Sequence, residues 1–197
     1  MVQKFLRAKH WQLFLLTYGL PLLFQTVMII LIFTNWESVA SPLQVSPLAL
    51  WHLIGMVLLS FITVVSLCGW FWSVGIGLQE KLPEHLKMRT VKFKSAFLVM
   101  IGCAALLFTV FGLGLLGFIP VGMLLANTIT LLLFAGYYVF SGLCALYCLY
   151  FVSKTIKTAE LQREVSFGDF IGEFFLIWFF FIGVWIVQPR VNASVSR

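Results

Sequence analysis

Glu173 is the strongest candidate for a chemical role in this chain, because it is a carboxylate within a strongly apolar segment. Acidic side chains in membrane segments are costly to bury and often belong to proton or cation pathways. Glu173 comes soon after a predicted helix start at Ser166, so we expect it near the aqueous edge of its helix. Three basic residues precede it as candidate partners: Lys154, Lys157 and Arg163. We therefore predict a structural ion pair in preference to proton or cation handling.

Asp169 and His52 are the other two candidates, and both lie close to predicted helix ends. Asp169 stands three residues after Ser166, which is the spacing of a helix cap, and a carboxylate there meets the positive end of the helix dipole. His52 lies one turn into the second apolar run, towards its outer end and within reach of Glu37. We interpret both side chains first as interfacial residues. The candidates for an interfacial catalytic centre are Asp169, Glu173 and His85.

Other patterns that carry chemistry are missing or lack the context that they need. The chain has no Ser-His-Asp order, no H-E-x-x-H motif and no phosphate-binding loop. The glycine pattern at 112–117 has the letters of a dinucleotide fingerprint, but it lacks the strand-turn-helix and the acidic residue that the motif needs. Cys144 and Cys148 share a helix face without a third ligand, so we interpret all four cysteines as packing residues. We predict no catalytic residue, cofactor or metal site.

The composition places these residues in a membrane protein. Of the 197 residues, 61% are hydrophobic and 10% charged, whereas soluble domains contain about 45–50% apolar and about 25% charged residues. A soluble fold of this length could not hide that much apolar surface. The net charge of +6 comes from basic residues that flank apolar runs, which is typical of membrane topology signals and not of nucleic-acid binding. Membrane lipid is the expected surrounding.

Apolar run length predicts an all-α, polytopic transmembrane helix bundle of about five spans, forming a single membrane domain over residues 1–197. A span needs about 20 residues, and Pro21 should kink the first. The predicted spans are 12–34, 48–78, 95–116, 123–152 and 167–188. A turn is expected near 117–122, the fourth helix should continue as a charged stalk, and Pro189 should end the fifth. A re-entrant fifth segment is the alternative, because its uninterrupted apolar core is short.

Basic residues are distributed asymmetrically between the predicted loops. The charged segments 1–11, 79–94 and 153–166 carry eleven of the thirteen lysines and arginines. The positive-inside rule places these segments in the cytoplasm. With five spans, the N-terminus is then expected inside and the C-terminus outside.

Two C-terminal segments resemble the C-terminal part of a group of small bacterial multi-pass membrane proteins. The first is 160–178, which runs from Glu160-Leu161-Gln162 through Ser166-Phe167-Gly168-Asp169 to Trp178, and the second is Gln188-Pro189-Arg190-Val191-Asn192. The resemblance covers about a quarter of the chain. It implies the bacterial inner membrane, and it implies no activity and no site residues.

Three functional hypotheses remain open from the sequence. The first is a non-enzymatic subunit or scaffold of a membrane complex, with other membrane-protein subunits as partners. The second is a transporter or channel for a neutral or apolar solute, with a polar lining drawn from Gln25, Ser60, Thr63, Asn127, Thr130 and Tyr138. The third is a lipid-modifying membrane enzyme that uses the interfacial acids and His85.

Overall fold

The computed structural model describes residues 2–36, 47–115, 117–118 and 127–196, and within these ranges the regular structure is entirely helical. We number seven helices in chain order: α1 (Val2–Leu6), α2 (His10–Thr34), α3 (Pro47–Gly77), α4 (Val91–Leu115), α5 (Thr128–Leu161), α6 (Phe167–Trp178) and α7 (Phe180–Ser196). Two short 3₁₀ turns, Gln79–Lys81 and Glu84–Leu86, lie between α3 and α4.

Four of these helices, α2 to α5, are long and apolar enough to cross a membrane. At most 11% of the most apolar window of each helix is buried within the protein. Exposing such a large apolar surface to water is unfavourable. Long apolar helices with exposed sides are therefore stable only in a solvent such as lipid. The membrane-protein prediction is therefore supported at this level.

A π-helical turn, Leu15–Gly19, interrupts α2. It directly precedes Leu20–Thr34, the α-helical part of α2 that contains Pro21. Proline has no N–H to donate to the preceding turn. A wider turn is one of the ways in which a helix accommodates such a missing donor. The hydrogen-bond register of α2 therefore changes just before Pro21, where the sequence predicts a kink.

Glycine ends α4 as the sequence suggested. Gly117 has φ +78°, the left-handed conformation that glycine adopts at little cost. Its N–H donates to the Gly114 carbonyl, and the N–H of Phe118 donates to the Leu113 carbonyl, which is the hydrogen-bond pattern of a Schellman motif. The rest of the expected turn, including Pro120, lies outside the described residues.

The predicted stalk is part of one continuous helix, since α5 runs unbroken to Leu161. Gln162 then takes a left-handed conformation with φ 53°, and its side-chain amide donates to the Ala159 carbonyl. The stalk is packed on one side, where Thr155, Ile156 and other residues are buried.

The predicted single helix over 167–188 is wrong, because the segment breaks after Trp178 and helix α7 then continues through Pro189 to Ser196. The break is tight: a Cβ added at Gly183 would collide with the Leu176 carbonyl. Pro189 does not end α7 because tertiary packing holds both flanks. Val187 and Val191 are fully buried, and buried contacts of this kind outweigh the cost of one proline.

The chain divides into two compact units, and the first comprises residues 1–81 and 175–197. In this unit α2 and α3 form an antiparallel pair. Thr63 donates to the Thr17 carbonyl at 3.3 Å, and the Phe24 ring occupies the space beside Gly55. Helix α1 packs against the end of α3, where the Phe5 ring fills the space beside Gly69.

Helix α7 runs antiparallel to the first part of α2. Successive ring contacts join Phe181 to Tyr18 at 6.1 Å and Trp185 to Phe14 at 5.5 Å. Towards the end of α7, the Val195 carbonyl accepts a hydrogen bond from the Lys81 ammonium. The C-terminal end of α7 therefore lies beside the 3₁₀ turn that follows α3.

The second unit comprises residues 82–174 and is built on an antiparallel hairpin of α4 and α5. At one end of the hairpin, the rings of Phe93 and Phe151 stack at 4.6 Å. Further along, the Tyr137 hydroxyl donates to the Cys103 carbonyl. The start of α6 belongs to the same unit, where Phe170 packs edge-on against Tyr150 at 5.3 Å.

Candidate functional site

Glu173 is buried, with 4% of the residue exposed, and its carboxylate pairs with an amine. Lys157, near the end of α5, places its Nζ 3.0 Å from Glu173 Oε1 and 3.1 Å from Glu160 Oε2. One lysine is thus shared by two carboxylates. A buried carboxylate needs such a partner, because burying a charge without one is very costly. Lys157 is one of the three partners that the sequence offered.

Asp169 lies in the first turn of α6. Its Oδ2 accepts the Ser166 backbone N–H at 2.8 Å and the Ser166 hydroxyl at 3.0 Å. Its Oδ1 lies 3.1 Å from Arg163 Nη2. The hydrogen bonds from Ser166 and then the one from Arg163 lower the pKa of Asp169 from its ordinary value, because each favours the carboxylate. Asp169 thus accepts the Ser166 N–H, which is one half of a capping box, whereas the Ser166 hydroxyl donates to the Asp169 carboxylate.

His52 belongs to the contact between α2 and α3. Its Nε2 lies 3.1 Å from Gln25 Oε1, and its ring stacks on Phe24 at 6.1 Å. Glu37, the partner considered from the sequence, lies outside the described residues. The imidazole is therefore engaged with α2, in the same unit.

The remaining candidates do not assemble into a reactive centre within the described part of the chain. His85 is exposed in the second 3₁₀ turn. Across residues 2–36, 47–115, 117–118 and 127–196, no group of three or more His, Cys, Asp or Glu side chains could hold a metal ion. Asn127, considered for a transport pathway, instead caps α5 by accepting the N–H groups of Ile129 and Thr130.

Gln188 forms a polar cluster that the sequence did not single out. It is fully buried, and its Oε1 accepts the indole N–H of Trp70 at 2.7 Å. Its amide nitrogen lies 3.2 Å from the Phe5 carbonyl and 3.0 Å from the Ala8 carbonyl. Asn192 adds a second donor to the Ala8 carbonyl at 3.2 Å. We call these groups the Gln188 cluster; it supplies side-chain donors to two carbonyls at and just after the end of α1, where intrahelical donors run out.

A groove of about 540 Å³ opens between α1 and the start of α2, and no sequence pattern predicted it. Its wall is apolar apart from Lys4 and Gln12, and the other lining residues include Trp11, Leu15, Leu16 and Leu20. Two of these leucines belong to the π turn. The groove therefore combines one cationic side chain with a long apolar surface.

These features define the class of the protein: in its described residues the regular structure is helical, with four helices of membrane-spanning length and polar clusters at helix ends. No protein-family model, curated protein or solved structure matches the chain.

Proposed function

We propose that the protein is a non-enzymatic subunit or scaffold of a membrane assembly in the bacterial inner membrane. The observation that carries this proposal is a contrast between two sets of glycines. In the first unit, Gly55, Gly69 and Gly77 each face a side chain of the same chain within 3 Å of where a Cβ would stand. On the spans of the second unit, Gly136 and Gly142 have nothing within 4 Å of that point.

Glycine costs an α-helix about 1 kcal/mol relative to alanine, and in membrane helices it serves mainly where two backbones approach closely. In the first unit, Gly55, Gly69 and Gly77 leave room for side chains of the neighbouring helices. On α5, Gly142 lies two turns from Ala135 on one exposed face. The open face therefore favours contact with a helix of another subunit.

The assembly is tested by measuring the mass of the protein purified in mild detergent. We expect a particle larger than the 22.4 kDa chain, and we expect Gly142→Leu to release the single chain with unchanged helical circular dichroism. Leu133→Phe is the matched control, since Leu133 is 70% exposed on the opposite side of α5. A single chain in the unmodified protein, or an assembly that Gly142→Leu leaves intact, would refute the proposal.

We also propose a topology of four spans, α2 to α5, with a re-entrant segment formed by α6 and α7. Helix α7 has 17 residues, or roughly 25 Å, which is shorter than a hydrocarbon core of about 30 Å. Its course back along α2 supports a return to the side from which it came. All thirteen basic residues then lie on one side, two more than in the five-span arrangement, and the positive-inside rule makes this side cytoplasmic.

Cysteine labelling distinguishes the two topologies. In a background with the four native cysteines replaced by alanine, we expect Phe118→Cys to react with a membrane-impermeant maleimide in intact cells. Ser194→Cys and the cytoplasmic control Lys92→Cys should react only after permeabilisation. Labelling of Ser194→Cys in intact cells would restore the five-span arrangement.

The two alternative functions receive no comparable support from the described residues. Thr63 and Gln25, proposed to line a transport pathway, make local contacts with Thr17 and His52. The acids of the lipid-enzyme hypothesis, Asp169 and Glu173, are both held in ion pairs. Each contact has a structural role, so the assembly role remains our proposal.

A further inference from the structure

We propose that the groove between α1 and α2 is a binding site for one anionic phospholipid. The groove is graded along the helix axis. Lys4, the first lining residue in chain order, belongs to α1, in the segment placed at the cytoplasmic surface by its basic residues. Leu20, the last lining residue, lies ten residues beyond the start of α2, or roughly 15 Å along a helix. A phospholipid has the same order of groups, with a charged phosphate followed by an apolar acyl chain.

The charge on Lys4 is available to such a ligand. The described part of the chain holds no carboxylate within 4 Å of the Lys4 ammonium, and the side chain is exposed. Arg7 and Lys9, the next two basic residues, are exposed as well. An unpaired cation beside a membrane attracts anionic headgroups in preference to neutral ones. This complementarity selects a lipid with a net negative charge.

The apolar part of the groove suits an acyl chain. Its volume of about 540 Å³ falls within the range of roughly 300–1,000 Å³ that is typical of small-molecule sites. Leu16 and Leu20 are 38% and 43% exposed, so a bound chain would cover surface that the protein leaves open. Leu15 and Leu16 are presented by the π turn, an irregularity frequently found at functional sites.

Native mass spectrometry of the delipidated full chain tests the site with phosphatidylglycerol and phosphatidylcholine of identical acyl chains. We expect one phosphatidylglycerol to bind in preference to phosphatidylcholine. Lys4→Gln should weaken phosphatidylglycerol binding about 5-fold and leave phosphatidylcholine unchanged. Lys92→Gln, which removes an exposed lysine remote in sequence from the groove, should change neither. Glycerol phosphate without acyl chains should not compete.

A second variant tests the groove itself. Leu16→Trp should fill it and weaken both lipids by about 10-fold or more, whereas Leu132→Trp, at a 68% exposed position on α5, should weaken neither. Equal effects of Lys4→Gln and Lys92→Gln would reduce the site to general surface charge and overturn the proposal. So would equal effects of the two tryptophan variants. These outcomes do not depend on whether the protein forms an assembly.

Discussion

The Gln188 cluster offers the most direct test of how the chain is held together. We expect Gln188→Leu to destabilise the protein by about 2–4 kcal/mol. The substitution leaves the indole N–H of Trp70 buried without an acceptor, and it removes a donor from the carbonyls of Phe5 and Ala8. Each buried polar group left unsatisfied costs about 1–3 kcal/mol, while Asn192 still serves the Ala8 carbonyl.

A double-mutant cycle separates this hydrogen bond from general packing. Trp70→Phe removes the indole N–H and should cost about 1–2 kcal/mol, since it also leaves a smaller ring in a fully buried position. Replacing both partners by apolar groups can be nearly neutral. We therefore expect the double variant to be more stable than the sum of the two single variants predicts, by about 1 kcal/mol or more.

The measurement is reversible unfolding in mixed detergent micelles, followed by far-UV circular dichroism so that the loss of a tryptophan does not affect the signal. The free energies are compared at a constant denaturant slope. If the two substitutions are additive within about 0.5 kcal/mol, then Gln188 and Trp70 do not interact, and the hydrogen bond between α7 and α3 is refuted.

Three further substitutions test individual contacts. Glu173→Gln should cost about 1–3 kcal/mol of unfolding free energy, because its buried ion pair with a lysine is broken, whereas Glu164→Gln at an exposed site should change it by less than about 0.5 kcal/mol; equal values would contradict the buried pair. Gly69→Ala should lower the thermal midpoint because the added methyl collides with a phenylalanine ring, whereas Gly102→Ala meets no atom within 4 Å and should not; the reverse order would exclude this packing. Asp169→Asn should remove an acid-dependent loss of stability. The pKa of Asp169 is lowered in the folded state, so the stability that its carboxylate contributes is present above the ordinary carboxyl pKa and disappears as pH falls below it. An unchanged pH profile of unfolding would refute the cap.

The sequence was sufficient for features that depend on local chemistry. The apolar runs predicted α2 to α5 because membrane length requires about 20 residues. Ser166 and Asp169 predicted the start of α6 because a carboxylate at this spacing can accept the N–H of the residue before the helix. Lys157 was among the expected partners of Glu173 because buried carboxylates need a cation.

The C-terminal segment could not be predicted in the same way. The 22-residue segment 167–188 fits one span as well as two shorter helices, because segment length carries no information about a break. The break depends on contact between Gly183 and the Leu176 carbonyl. Pro189 ends a helix in isolation, but here buried side chains on either side keep α7 helical. Both outcomes are set by tertiary packing, which local patterns do not record.

Glu173 and Gln188 have the same role in the segment after Ser166, and this argues against chemistry at either residue. Each is the buried polar side chain of one short helix, and each is joined to its own unit, Glu173 to the end of α5 and Gln188 to the end of α1. In the re-entrant arrangement that we propose, these contacts hold each of the two helices to its own unit. The carboxylate that first suggested a proton pathway is therefore better explained as an anchor.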